Sequence, residues 1–143
     1  MTVATATAAA APSALIDGCN QQARYALIQS PIHFDSATTA LPTSAQPVLQ
    51  RLAEIALQCP DTEMVVRGHT DNRGDAHRNV ALSLARARAV ADAIAELGIA
   101  AQRIRAEGWG SREPVDDNAT RRGRRNNRRI TVSFEAGGQS PKD

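Results

Sequence analysis

The stretch Gly68-His69-Thr70-Asp71, followed by Asn79-Val80-Ala81-Leu82-Ser83-Leu84-Ala85-Arg86-Ala87, sets one carboxylate and one guanidinium 15 residues apart. An apolar strand, a turn and a helix would carry the two groups to the same end of a domain. A fixed anion beside a fixed cation is a receptor for a zwitterion, such as the free end of an amino acid, more than a catalyst. Two plainer readings stand beside this one. Asp71 closes a turn while Arg86 is solvated on a helix surface, or the two pair in an ion pair of small net worth. At 100° per residue, Asn79, Leu82, Ser83 and Arg86 share a face roughly 100° wide beside the apolar stripe, which predicts a position at the rim of the core. Arg86 offers a planar fork to a carboxylate, Asp71 an acceptor to an ammonium, and Asn79 both donor and acceptor.

The elements that must position these groups are legible. Met64-Val65-Val66-Arg67-Gly68 is a short apolar strand closed by glycine, and Asp71-Asn72-Arg73-Gly74 is turn chemistry. The spacing of Val80, Leu84, Ala87, Ala91 and Ile94 predicts a helix from about Asp75 to Leu97, with Gly98 as its C-terminal cap. Upstream, Leu15, Cys19, Ala23 and Ala26 or Leu27 share one side of a helix over 15–29 that Pro31 ends. Ile32-His33-Phe34 alternates as a short strand. A helix capped by Thr43 or Ser44, with Pro47 in its first turn, carries Val48, Leu49, Leu52, Ile55 and Ala56 and stops at Cys59-Pro60-Asp61. Ile104 to Gly108 reads as a strand, Trp109 to Asn127 as loop, and Arg129 to Phe134 as a last strand. The order is β-α-β-α-β-β, an α/β (α+β) fold with a mixed sheet covered by helices. Residues 1–14 read as a disordered linker or the remnant of a preceding segment, 15–136 as one domain with its N-terminal helix tethered to the core, and 137–143 as a disordered tail.

A chain of 143 residues, 42% hydrophobic and only 3% aromatic, supports one modest aliphatic core. Val65, Val66, Val80, Leu84, Val90, Ile94, Leu97, Ile104, Ile130 and Val132 are its expected members. No run reaches the length of a membrane span. The first eleven residues lack the charged and leucine-rich regions of a signal peptide, so an exported protein would carry its signal elsewhere. Net charge is +2, yet 16 of the 17 basic residues are arginine and six fall between Arg121 and Arg129.

Three other chemistries compete. His69, Asp71 and His77 are metal-capable but lack a tight ligand frame. Arg121-Arg122, Arg124-Arg125 and Arg128-Arg129 could hold the phosphates of a nucleic acid or an anionic wall or membrane surface, although aromatic residues are not interleaved and Asp116-Asp117 lies beside them. A metal-dependent hydrolase is the weakest reading, since no paired carboxylates, Ser/His/Asp set or nucleophilic cysteine stands out. No cofactor is expected. Cys19 and Cys59 are either two buried thiols or a bridge formed in an oxidising compartment.

The motifs GHTDNRG, N-V-A-L-S-L-A-R-A, G-W-G-S-R-E-P and G-R-R-N-N-R-R-I, in that order from about Ile32 to Phe134, resemble the OmpA-like C-terminal domain family. The resemblance implies a periplasmic, non-enzymatic module that binds peptidoglycan non-covalently through the diaminopimelate of the stem peptide. Such a module anchors a larger envelope protein or complex to a Gram-negative-type wall, with further envelope proteins as partners. It implies that Asp71 takes the diaminopimelate ammonium and Arg86 its carboxylate. Supporting contacts come from Asp35, Ser36, Thr70, Asn79 and Arg128. It also implies a Cys19–Cys59 disulfide.

Overall fold

The computed structural model describes residues 12–35 and 38–137. Within them the chain forms α1 (Ser13–Gln29), α2 (Gln46–Leu57), β1 (Thr62–His69), α3 (Ala76–Glu96), β2 (Ile104–Gly110), α4 (Arg121–Asn127) and β3 (Ile130–Ala136). The expectations for residues 1–11, Ser36 and the tail beyond residue 137 lie outside the described residues.

β1 is the middle of a three-stranded mixed sheet ordered β2-β1-β3. It runs parallel to β2, with Val66 opposite Ala106, and antiparallel to β3, with Val66 opposite Val132. A parallel neighbour requires a crossover, and α3 supplies it. One face of the sheet presents Met64, Val66, Val132 and Phe134 to a core shared with Leu49, Leu52, Ile55, Val90 and Ile94. The other face is polar. Glu63 lies opposite Glu135 in the ladder, a repulsive pair. Arg105 resolves it by reaching Glu63 at 2.7 Å, Glu107 at 3.1 Å and Glu135 at 3.2 Å. Arg67 adds Glu107 at 2.9 Å and the Ser133 hydroxyl at 2.8 Å.

Four expectations need correction. Ile32–Phe34 is not a strand: it touches the sheet through a single bridge between His33 and Arg129. Ile32 and Phe34 are buried all the same, because the segment packs as an extended strap. Arg121–Asn127 is a helix where loop was expected. Thr120 starts it by accepting the Gly123 N–H at 2.9 Å, a capping interaction that offsets the cost of so short a helix. Neither Thr43 nor Ser44 caps α2 with its side chain; a 3-10 turn, Thr43–Ala45, leads into it. Finally, Val80 is 43% exposed, while the buried residues of α3 are Asn79, Ser83, Arg86, Ala87, Val90 and Ile94. Leu84, Leu97 and Ile104 are half-buried rather than central.

The rotation of α3 has a cause in two glycines. A Cβ on Gly68 would collide with the Ser83 carbonyl, and one on Gly108 would stand 2.6 Å from the Val80 carbonyl and 2.7 Å from the Leu84 nitrogen. The helix backbone lies directly on the sheet there, so its first two turns turn a polar face inward. Asp75 caps that end by accepting the Arg78 N–H at 2.9 Å, and Gly98, at φ +110°, closes the other end in the conformation that glycine adopts without strain.

α1 covers β3 through Cys19, Ala23 and Ala26. Asn20 satisfies the outer edge of β3, donating to the Phe134 carbonyl at 3.2 Å and accepting its N–H at 2.6 Å. This replaces the strand that would otherwise be needed at an open edge. Cys19 and Cys59 form a disulfide that ties α1 to the end of α2 across 40 residues. Removing it with Cys19→Ser/Cys59→Ser should cost roughly 3–4 kcal/mol on the chain-entropy estimate, read in urea unfolding. The oxidised protein should take no thiol label before reduction, and labelling of both cysteines would overturn the bridge.

Candidate functional site

The sheet, α3, α4 and the strap that carries Phe34 meet at the C-terminal end of β1. Thr70 continues β1 by donating its N–H to the Gly110 carbonyl at 2.9 Å. Asp71 then turns the chain: one carboxylate oxygen accepts the Arg73 N–H at 2.9 Å. The other accepts from Arg128 Nη1 at 2.9 Å, with Arg73 Nη2 at 3.6 Å. Asn79 holds the loop against α3, donating to the Arg73 carbonyl at 2.9 Å. Ser83 locks α3 to β2: its hydroxyl donates to the Val80 carbonyl at 2.8 Å and accepts the Gly110 N–H at 2.9 Å.

Arg86 is not at the rim; only 1% of it is exposed. Its guanidinium lies 5.0 Å from the centre of the Phe34 ring. Nε donates to the Thr38 carbonyl and Nη2 to the Asp35 carbonyl, both at 2.8 Å. Two of its five N–H groups thus fasten the strap, and the other end of the fork remains. Nη1 is buried and meets no hydrogen-bond partner among the described residues; the same holds for the Thr70 hydroxyl. Burial pushes the Arg86 pKa down to about 10, with Arg128 acting in the same direction and Asp71 opposing. The group stays cationic at neutral pH. Burial by itself would raise the Asp71 carboxyl, but the Arg73 N–H, the Arg128 hydrogen bond and the charges of both arginines outweigh it and hold the pKa below its ordinary value.

Asp71 and Arg86 are therefore both charged and not paired with each other. Together with Thr70, Asn79 and Arg128 they line a cleft of about 430 Å³, which Arg78 and Leu82 extend along α3. Of the residues expected from sequence, Asp35 contributes its carbonyl to Arg86, while its side chain is outward and exposed. Ser36 lies outside the described residues. Sequence reading missed what places Arg128. Asn127, fully buried, accepts the N–H groups of Val115 and Asp116 and donates to the Asp116 carbonyl and Asn118 Oδ1. It knots the loop to the end of α4 and sets the next residue facing Asp71. The pattern Asn-Asn-Arg-Arg after a loop with two aspartates was the available signal.

The competing residues are dispersed. His69 lies on the polar face of the sheet, bonded to the Thr131 hydroxyl at 3.1 Å and set against Trp109, and His77 is exposed. No group of three metal-capable side chains occurs among the described residues. The arginine run is divided by α4: Arg121, Arg122 and Arg125 are exposed, Arg124 bonds the Asn118 carbonyl, and Arg128 faces Asp71.

The OmpA family profile matches residues 33–128. The chain is 37% identical over 112 residues to peptidoglycan-binding protein ArfA of Mycobacterium tuberculosis, covering 78% of this chain and 34% of that protein. It is 36% identical over 121 residues to outer membrane porin F of Pseudomonas aeruginosa, covering 84% and 35%. It thus spans about a third of the length of these relatives. Among solved structures, the peptidoglycan-associated lipoprotein from Burkholderia pseudomallei superposes with a TM-score of 0.71 at 27% identity, covering 77% of this chain and 93% of that one. The cell wall anchor of the T6SS from Pseudomonas aeruginosa superposes with 0.65 at 31%, covering 82% and 99%.

Stability should depend on pH in two separate windows. Burial, with Arg129, Arg67 and Arg112 nearby, pushes the His69 pKa from 6.5 down to about 4. Between these values the unfolded chain binds a proton that the folded one refuses, so stability falls as pH drops from about 6.5 to about 4. Asp71 acts lower: its contribution is intact above its ordinary 3.8 and is lost as pH falls through the depressed folded value. In urea melts His69→Gln should flatten the upper limb, and Asp71→Asn only the limb below about pH 4. A slope unchanged in either variant removes that assignment.

Proposed function

Because this chain belongs to the OmpA family, we propose that it binds peptidoglycan non-covalently through the diaminopimelate of the stem peptide and so anchors a larger envelope protein to the cell wall. The observation that carries this reading is a pair of buried donors, Arg86 Nη1 and the Thr70 hydroxyl, that have no hydrogen-bond partner among the described residues and belong to residues lining the same cleft as an ionised Asp71. The far end of diaminopimelate bears an ammonium and a carboxylate on one carbon. Asp71 takes the ammonium, and Arg86 with Thr70 takes the carboxylate. Asn79 holds the turn that presents Asp71, and Arg128 keeps the Asp71 carboxylate ionised and shares it with the incoming ammonium.

The fixed separation of the two charges is what makes the site selective. A lysine stem brings the ammonium but no carboxylate, leaving Arg86 buried and unmet, and an unmet buried charged donor is costly. We assign binding without cleavage, since the cleft holds a receptor and not an acid–base pair. The peptidoglycan-binding, wall-anchor and lipoprotein names of the similar proteins agree with this reading. The reading implies a periplasmic location; no helix among the described residues is long and apolar enough to cross a membrane.

Titration of the purified chain with N-acetylated stem peptides that carry either diaminopimelate or lysine is the test, because free lysine would itself present an ammonium and a carboxylate on one carbon. The diaminopimelate peptide should bind at least about tenfold tighter, the equivalent of one charged hydrogen bond. Asp71→Asn, which keeps the Arg73 turn contact available, should abolish retention on isolated sacculi while its melt stays cooperative. Equal affinity for the two peptides, or binding that collapses with salt and ignores diaminopimelate, would replace this reading with a surface arginine one.

A further inference from the structure

The charges of the cleft do not balance around a lone zwitterion. Its lining carries four guanidinium groups, from Arg73, Arg78, Arg86 and Arg128, against two carboxylates, from Asp71 and Asp75. Asp75 is engaged in capping α3, and Asp71 already faces two of the arginines. A ligand end of zero net charge leaves the excess of two positive charges untouched. The cleft is also larger than one amino-acid end requires: about 430 Å³ falls in the range that takes a drug-sized ligand.

We infer that the site takes a second carboxylate of the stem peptide, on Arg78. This rests on the peptidoglycan reading above and extends it. Arg78, Leu82 and Arg86 stand at i, i+4 and i+8 on α3 and line one wall of the cleft. Eight residues of helix separate Arg78 from Arg86 by about 12 Å along the axis. The guanidinium of Arg78 is exposed and makes no hydrogen bond or ion pair with a described residue, whereas that of Arg86 is buried and fixed. The wall thus has a rigid cation at one end, an apolar side chain in the middle and an adaptable cation at the other end.

A stem peptide matches that wall. From the carboxylate at the far end of diaminopimelate, the α-carboxylate of the preceding γ-linked glutamate lies about a dozen bonds away, roughly 12–15 Å when extended. The C-terminal carboxylate of the following alanine lies roughly 10 Å away along the other branch. Both paths begin with the methylenes of diaminopimelate, which suit Leu82. A tetrapeptide stem with an acylated N-terminus has three carboxylates and one ammonium, so its charge complements the excess in the cleft. Two sources of one chemistry are therefore available to Arg78.

The experiment titrates wild type and Arg78→Gln with four N-acetylated tetrapeptides: unmodified, amidated at the glutamate α-carboxylate, amidated at the C-terminus, and amidated at both. Arg78 is exposed, so the variant keeps the fold. In wild type one of the single amidations should weaken binding roughly three- to tenfold, and this identifies the source. Arg78→Gln should lose affinity for the unmodified peptide by the same factor and become indifferent to that amidation. Equal affinity of wild type for all four peptides, or full amidation sensitivity in Arg78→Gln, overturns the second-carboxylate subsite. Free diaminopimelate, titrated in parallel, separates the two levels: if wild type binds it and ignores amidation, only this inference fails, and if wild type binds none of the ligands, the peptidoglycan reading fails with it.

Discussion

The contact on which the rest of this structure depends is backbone against backbone, where α3 lies on Gly68 and Gly108, which send no side chain up from the strands. Helix–sheet packing is ordinarily spaced by apolar side chains. Here that spacer is missing over the first turns of α3, and the hydroxyl of Ser83 fills the junction by joining Gly110 to the helix. The proximity rotates Val80 outward and turns Asn79, Ser83 and Arg86 inward. A methyl group on either glycine would lift the helix and undo the arrangement, so the same contact that closes the fold also builds the cleft.

Burying a guanidinium in this position is costly unless its donors are met. The fold meets part of the cost through the Asp35 and Thr38 carbonyls and the Phe34 ring, which holds an otherwise irregular strap in place. It leaves Nη1 open. Asp71 is treated in the same way: the Arg73 N–H and Arg128 stabilise its charge without bringing it onto Arg86. Each charge is thus held by partners of its own, and the two do not pair with each other. Charges fixed in this manner would, on the proposed function, avoid much of the ordering cost of binding.

Much of the fold is readable from the chain because its signals are local. Met64–Gly68 reads as a strand from a short apolar run, and α3 from its period and its glycine stop. The helical side of Cys19 and Ala23 reads as buried from spacing, and both residues are buried. What fails has a common source. Ile32–Phe34 has strand alternation, yet it is held by Arg86 and Arg128 rather than by a ladder. Arg121–Asn127 has no apolar period, and its helix exists because Thr120 caps it and Asn127 knots it to the preceding loop. The common source is polar side-chain contact, made across the fold for the strap and within about a dozen residues for α4, which apolar spacing does not register.

The same division holds for the site. Residue types and spacing by themselves determined that an aspartate ends a strand, that an arginine follows on the next helix, and that both reach one end of the domain. They also determined the family, because its motifs are strings of neighbouring residues. They left open whether Asp71 and Arg86 would pair, and periodicity placed Arg86 at the rim of the core with Val80 beneath it. Only the tertiary structure decided that Arg86 is buried, that Arg128 and not Arg86 faces Asp71, and that Arg86 Nη1 has no hydrogen-bond partner among the described residues. The physical reason is that the rotation of a helix about its axis is set by what it packs against. Here that is two glycines on neighbouring strands, and an apolar count along α3 cannot register side chains that are absent from another element.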